Sequence, residues 1–419
     1  MKIRKDFLTL TSPSDFSDIL RRHVMATGKE RIMTADALHR VPADDIPSPT
    51  DLPDFVRSTV DGFAVKSADT HGASGAIPTY LVIIEDVPVG SMPQKIIRPG
   101  ESASVVTGGA VPEGADAVVM VEHTNQIDER TVEISRGVSF HENIILPGED
   151  MKRGDIVTYR GRRLNPYDVG ALMGVGITEI VVFKKPRVAL FSTGDEVVEP
   201  CQSPPPGKVR DINKYALSSA VIDSGGIPVR LDNVSDSPVA IEGAISRGID
   251  ESDVIILSGG SSVGGMDFTL SSINNLGSPG VIVHGISIKP GKPTIFGVIR
   301  DTPIFGLPGH PVGALVVFMV FVSPFIRMIG GEANPSPFET KIQAKITRNI
   351  PGSPGKDSFF PVCLSQNEGG CESEIPLATP VFGKSGLISI LTRSNGLIRI
   401  PAMKEGINEG EVVTVFMYR

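Results

Sequence analysis

Between residues 187 and 329 short apolar runs alternate with stretches whose apolar residues recur at helical spacing. Runs without internal polar positions predict strands buried on both faces, and the intervening periodicity predicts the helices that cover them. The strands are expected at 188–192, 229–234, 254–257 and 281–288, and the helices at 214–224, 238–247 and 268–275. This β-α succession predicts a doubly wound, mostly parallel sheet, in which ligands bind at the carboxyl ends of the strands. Upstream, Phe16, Ile19, Leu20 and Val24, then Ala35, Ala37, Leu38 and Val41, repeat at helical spacing and predict helices over 14–40. A Pro-rich connector over 42–53 ends them. Short β-like runs at 80–84, 102–107, 117–122 and 131–134, separated by Gly/Pro turns, predict a small β-rich domain. A strand at 156–159, a helix at 165–173 and a strand at 177–183 follow. Beyond a linker at 330–337, alternating runs at 341–347, 358–364, 397–400 and 412–416 predict a small β-barrel.

Composition narrows the class. The 419 residues include 45 Gly and 34 Pro, an excess that predicts many turns, while 40% hydrophobic residues suffice for packed cores and several domains. The net charge is −8 and the basic residues are dispersed, which argues against nucleic acid or an anionic membrane as the main partner. Behind Lys2, Arg4 and Lys5 stand only Phe7, Leu8 and Leu10, too few for a signal peptide, and the longest apolar run, 314–322, is half of what a membrane helix needs. Cys201, Cys363 and Cys371 match no zinc or redox spacing and predict a reduced, cytoplasmic chain. Trp is absent and Tyr rare, which lowers the expectation of carbohydrate clamps and base-stacking platforms.

Candidate chemistry clusters at predicted strand ends. The 254–257 strand runs into Ser258, Gly259, Gly260, Ser261, Ser262, Val263, Gly264, Gly265, Met266 and Asp267. Glycines there let backbone N–H groups approach an oxyanion, and the following helix N-terminus favours negative charge. Met266 and Asp267 stand where a P-loop needs Lys and Ser/Thr, which excludes a Walker-type site. Acids collect at the same edge: Asp195 and Glu196 after Thr193 and Gly194, Asp236 after Ser235, and Asp267. Like charges a few ångströms apart repel, and a hard divalent cation on oxygen ligands, Mg²⁺ before zinc, resolves the conflict. Lys289 and Lys292 lie in a Lys-Pro-Gly-Lys-Pro run stiffened by two prolines, which lowers the entropy lost when they close on an anion. Gly306-Leu307-Pro308-Gly309-His310-Pro311 then opens a helix. Two polar clusters in the first half, 57–64 around Asp61 and 105–119 around Thr107, admit ordinary turn chemistry as well as a functional reading. No Ser-His-Asp or Cys-His arrangement is present.

Six motifs in register resemble those of the molybdopterin molybdenumtransferase family, which includes the C-terminal domain of gephyrin. They are Ser-x-x-Asp-Gly-Phe-Ala (58–64), Thr-Gly-x-x-x-Pro-x-Gly-Ala-Asp (107–116), Ser-Thr-Gly-Asp-Glu (192–196), Ser-Gly-Gly-x-Ser-x-Gly-x-x-Asp (258–267), Lys-Pro-Gly-Lys-Pro (289–293) and Gly-Leu-Pro-Gly-x-Pro (306–311). The resemblance implies an α/β multidomain fold. It comprises an elongated α+β first domain (1–48 and 146–184), a β-rich second (49–145), a doubly wound molybdopterin-binding α/β third (185–331) and a C-terminal β-barrel (332–419). It implies a homodimer whose cleft joins Asp61 and Thr107 of one subunit to the third domain of the other. The implied reaction inserts molybdate into adenylylated molybdopterin with Mg²⁺ and releases AMP. Glu196, Asp236 and Asp267 would hold Mg²⁺ or contact the pterin, and Lys289 and Lys292 would bind molybdate or phosphate. Thr193, Gly194, Asp195, Ser258, Gly259, Gly260, Ser262, Gly264, Pro308, Gly309, His310 and Pro311 would line the cofactor pocket. A molybdopterin adenylyltransferase and molybdoenzyme chaperones are the expected partners. Three positions depart from the family: His310 stands for Asn, Gly313 for Ser and Val60 for Met. The lost hydroxyl predicts weaker oxyanion binding, and a protonated His310 would compensate. A tungstate-preferring insertase and a non-catalytic carrier of molybdopterin are the alternatives.

Overall fold

The computed structural model describes residues 10–259, 265–366 and 375–418, with the side chains at 265–267 outside the description. The first element, helix Pro13–Arg22, is capped by the Ser12 hydroxyl, which accepts from the Asp15 N–H at 3.1 Å. Phe16 and Leu20, four residues apart, are its buried face. The helix expected around Ala35 to Val41 is absent. Lys29–Met33 is a strand, antiparallel to Glu179–Phe183 from Lys29↔Phe183 to Met33↔Glu179, and Thr34–Asp36 is a single 3₁₀ turn. A partner about 150 residues along the chain overrides local periodicity here. Ile46–Pro47 likewise pairs with Ile156–Thr158, so everything between is an insertion into this first body. The helix Pro166–Gly174 carries a capping box between Asn165 and Asp168.

The insertion is a six-stranded sheet in the order Ala117–Met120, Gly62–Val65, Glu101–Val105, Thr79–Val87, Thr131–Ile134, Thr124–Asp128. Strand alternation sends Phe63 and Val65 to one core with Leu81, Val119 and Val132, and Ala64 to another with Val105 and Val118.

The α/β domain has the six-stranded order Ile227–Arg230, Arg187–Ser192, Val254–Ser258, Thr302–Leu307, Ile295–Ile299, Pro279–His284. Only Ile295–Ile299 runs against the rest. Val188, Leu190 and Ile256 face one core, and Ala189, Phe191, Ile255 and Leu257 the other, which explains why these strands read as unbroken apolar runs. Two expected strands are shorter than predicted. The run at 229–234 pairs only through Arg230, with Val234 making a single bridge to Thr193. The run at 281–288 leaves the sheet after His284, where the Gly285 carbonyl accepts from the Thr11 N–H and the Ile286 N–H donates to the Lys292 carbonyl, both at 3.1 Å. The apolar run at 314–322 belongs to a longer helix than expected. Pro311–Ile329 spans 19 residues and is long and apolar enough to cross a membrane. Instead it is packed inside the α/β domain, where Ala314, Val316, Val317, Val322, Phe325 and Ile326 have no exposed surface. A π turn, Phe318–Val322, interrupts it.

The last domain is a closed barrel of five strands. Asp357–Ser365, Leu377–Pro380, Lys341–Ile346, Val412–Met417 and Gly396–Ile400 pair in that order, and the last returns to the first. Ala344, Ile346, Val362, Ile398 and Val415 fill it. A short strand of the α/β domain, Ile288–Lys289, adds in parallel to Asp357–Ser365.

Candidate active site

Asp61 and Thr107 are brought together in the β-rich domain. Asp61 precedes strand Gly62–Val65, and Thr107 follows Glu101–Val105, the neighbouring strand. The Thr107 N–H and hydroxyl both donate to Asp61 Oδ1, at 2.7 and 2.8 Å. The backbone donor, then the hydroxyl, hold the carboxyl below the usual carboxylate range, so Asp61 is an exposed anion with a fixed orientation. Gly62 is required beside it, because a Cβ there would stand 1.9 Å from the Val119 carbonyl oxygen. Among the described residues no hydrogen bond joins Asp61 or Thr107 to the α/β domain.

The carboxyl edge of the parallel strands carries the acids. Thr193, Gly194, Asp195 and Glu196 follow Arg187–Ser192, and the Val234 N–H donates to the Ser192 carbonyl at 3.0 Å, which sets Asp236 alongside. Burial, then Glu196, then Asp195 push the Asp236 carboxyl up. Its Oδ1 is buried without a hydrogen-bond partner. The Thr193 hydroxyl, 1% exposed, lies near enough to oppose that rise without a full hydrogen bond of its own. Ser258 ends the adjacent strand, its hydroxyl 3.3 Å from that of Ser192. Gly259 sits at φ +133° with a Cβ position 2.1 Å from the Thr193 carbonyl oxygen, a close approach that glycine alone permits. Gly260, Ser262 and Gly264 lie outside the described residues. Asp267 lies in the first turn of helix Gly265–Leu276, its side chain also outside them. Among the described residues no three His, Cys, Asp or Glu side chains converge on a point where a metal ion would sit.

The lysines face a different space. Lys289, Lys292, Pro308 and His310 line a cavity of about 790 Å³ closed on its far side by Lys356, Ser358, Phe359, Phe360 and Ser385 of the barrel. None of the acids lines it. Lys289 Nζ reaches Ser353 Oγ at 3.0 Å, and Ser385 Oγ lies 2.9 Å from His310 Nδ1. Pro311 is the first residue of the apolar helix and His310 its N-cap. Gly313, on the first turn, also faces this cavity. A larger groove of about 1290 Å³ between the first body, the apolar helix and the barrel is lined by none of the predicted site residues.

Sequence reasoning missed the barrel wall, including Lys356 and Ser385, and the turn that starts helix Asn213–Asp223. Asp211 and Asn213, 6% and 8% exposed, each keep one oxygen without a partner. Asn213 Nδ2 donates to the Gly309 carbonyl at 2.9 Å. An acid and an amide just before a predicted helix read as capping residues, and only their burial marks them out.

Comparison with known proteins fits this arrangement. Residues 11–176 match the MoeA N-terminal region (domain I and II), 189–328 a molybdopterin-binding domain model, and 343–418 the MoeA C-terminal region (domain IV). The molybdopterin molybdenumtransferase of Bacillus subtilis is 31% identical, over 97% of this chain and 95% of its own. That of Haemophilus influenzae is 32% identical, over 97% and 98%. Two solved structures of the molybdopterin biosynthesis moeA protein from Pyrococcus horikoshii superpose with TM-scores of 0.81 and 0.83 at 33% and 28% identity, covering 98% of this chain and all of theirs. With three domain models in order and identity sustained from end to end, the chain belongs to the molybdopterin molybdenumtransferase family, transferases of molybdenum cofactor biosynthesis.

Proposed function

We propose that the chain inserts molybdate into adenylylated molybdopterin and releases AMP, assisted by Mg²⁺. The observation that carries this reading is the cavity in which Lys289, Lys292, Lys356 and His310 face one another across the α/β–barrel junction. Three ammonium groups on one cavity, in a chain of net charge −8, are arranged for a small oxyanion. The acids at the neighbouring strand ends suit the other substrate. Their all-oxygen donor set fits a hard divalent cation, since Asp236 Oδ1 and the Thr193 hydroxyl are buried without partners. Glu196 and Asp236, with Asp267, would hold it. When bound, Mg²⁺ supplies charge neutralisation for the phosphates of the substrate. Ser258 and Gly259 present backbone at the pterin side, and Pro308 and Pro311 stiffen the wall between the two halves. No side-chain nucleophile is needed: positioning and charge complementarity supply the rate.

The reading extends to a homodimer in the cytoplasm. Asp61 and Thr107 form an exposed, preorganised pair that, among the described residues, makes no hydrogen bond to the α/β domain of its own subunit, which suits it to face that of a second copy. A molybdopterin adenylyltransferase would supply the substrate, and molybdoenzyme chaperones would receive the product. Incubation with adenylylated molybdopterin, molybdate and Mg²⁺ should release AMP and yield active cofactor, and Lys289→Ala and Asp236→Ala should abolish both. AMP release no greater than from heat-killed protein refutes the reading. Tight pterin binding with unchanged AMP content would identify the non-catalytic carrier, and a preference for tungstate in the same assay the tungsten insertase.

A further inference from the structure

The first turn of helix Asn213–Asp223 touches three of the loops at the candidate site. Lys214, 4% exposed, places Nζ 2.5 Å from Glu199 Oε1 and 3.5 Å from the Leu231 carbonyl. Glu199 follows the two-residue strand Val197–Val198 that leads on from Asp195 and Glu196, and Leu231 begins the segment that reaches Asp236. Tyr215 donates its hydroxyl to Glu199 Oε2 at 2.6 Å. Asn213 Nδ2 holds the Gly309 carbonyl, in the loop between Pro308 and His310. Backbone bonds continue the fastening: Val209 N–H to the Glu196 carbonyl at 2.8 Å and Asp211 N–H to the Val198 carbonyl at 2.9 Å. The Lys214 ammonium, then the Tyr215 hydroxyl, hold the Glu199 carboxyl below the usual carboxylate range. With Lys214 buried and Glu199 35% exposed, the ion pair is a weak source of stability, because desolvation of the lysine and solvent screening of the carboxylate offset most of its attraction. What it provides is direction: two loops fixed to one atom, Nζ.

We infer that Lys214 is a positioning residue for metal insertion, setting with Glu199 and Asn213 the relative placement of the loops that bear Glu196, Asp236 and Pro308. The inference rests on the insertase reading, and no atom of Lys214 need touch substrate. It is tested with Lys214→Met/Glu199→Met, which replaces the ion pair by apolar side chains of similar size, and with Tyr215→Phe, which removes one hydroxyl at the exposed end of the cluster. Supporting partners of an active site commonly change affinity or activity by about 10- to 100-fold. The double variant is therefore expected to keep an unfolding midpoint near that of the parent, and a molybdate affinity close to the parent's because Asn213 still holds the Gly309 carbonyl beside the lysine cavity. Its kcat should fall at least tenfold and its molybdopterin Kd rise about as much. Lys214→Arg alone, which keeps a cationic donor to Glu199, should retain most of the parental kcat, and Tyr215→Phe should lower kcat a few-fold. A folded double variant with parental kcat and pterin affinity overturns the inference. Should that variant not fold, unchanged turnover and pterin affinity in Tyr215→Phe overturn it. An inactive parent refutes the insertase reading, and the pterin titrations then decide the positioning role alone.

Discussion

Gly313 offers a direct test of the lysine cavity, because the position is open enough to take the serine that relatives in the resemblance carry. A Cβ there would lie 3.4 and 3.6 Å from Pro308 and 3.7 Å from the Gly291 nitrogen, all ordinary contact distances. The residue lies in the first turn of a helix, where serine is favoured over glycine by roughly 0.5 kcal/mol. The site is buried, however, and a hydroxyl without a partner there costs about 1–3 kcal/mol, enough to reverse the sign. The outcome depends on whether the hydroxyl finds Gly291 or an anion. If it does, Gly313→Ser raises the melting temperature by roughly 1–2 °C, on a scale of about 2–4 °C per kcal/mol for a domain of this size. One added hydrogen bond to a charged acceptor, about 1.5 kcal/mol, tightens molybdate binding about tenfold. Thermal unfolding with and without molybdate, and titration calorimetry at fixed ionic strength with sulfate as competitor, measure both quantities. A midpoint lowered by several degrees, or a molybdate Kd unchanged within twofold, refutes the placement of the oxyanion beside this turn.

Gly62→Ala should push the edge strand Ala117–Met120 away from Gly62–Val65 in the β-rich domain, since its Cβ meets the Val119 carbonyl oxygen at 1.9 Å; overpacking of this kind costs about 1–3 kcal/mol, and an unmoved urea midpoint would contradict it. Gly331→Ala combines φ +87° with a Cβ 2.0 Å from the Phe183 ring, so it should destabilise the junction of the first body and the apolar helix by a similar amount in the same assay. Asp236 binds its proton more tightly folded than unfolded, so the stability it contributes is full below the unfolded value near pH ~3.9 and is lost as pH rises through the folded value. Asp236→Asn should therefore gain on the parent protein as pH rises from about 4 towards neutrality; parallel pH–stability curves would exclude the effect. Thr107→Val removes one of two donors to Asp61 and should move its carboxyl titration upward in a carbon-13 NMR experiment, while the remaining N–H keeps it below the ordinary value. An unchanged titration would mean the hydroxyl contributes nothing.

The α/β domain was legible because strands buried on both faces and helices buried on one leave different periods in the sequence, and these survive any change of neighbours. Residues 29–41 were not, since the strand at Lys29–Met33 exists only against Glu179–Phe183. The hairpin of Ile295–Ile299 and Thr302–Leu307 escaped for another reason. Its turn places Arg300 and Asp301 at φ +48° and +69° without the glycine or asparagine that usually announces such a turn. At the site, motifs located Asp61 and Thr107 but not their hydrogen bonds, which depend on two strands, Gly62–Val65 and Glu101–Val105, that are far apart in sequence lying side by side. Lys214 stands at the start of a helix expected at 214–224, with nothing in the local sequence to mark it as buried. Its burial is decided by Glu199 fifteen residues earlier and by the end of a third strand, and no local pattern carries that information.

The lysine run also belongs to two domains at once. Ile288 and Lys289 are covalently part of the α/β unit, yet their backbone is a sixth strand on the barrel sheet, in register Ile288↔Asp357 and Lys289↔Ser358. Severing the chain near residue 331 would leave every acid in place and strip the lysines of the strand that orients them. In a chimera between relatives, anion preference should then travel with the barrel, although the barrel contributes neither Lys289 nor Lys292 to the transplanted sequence.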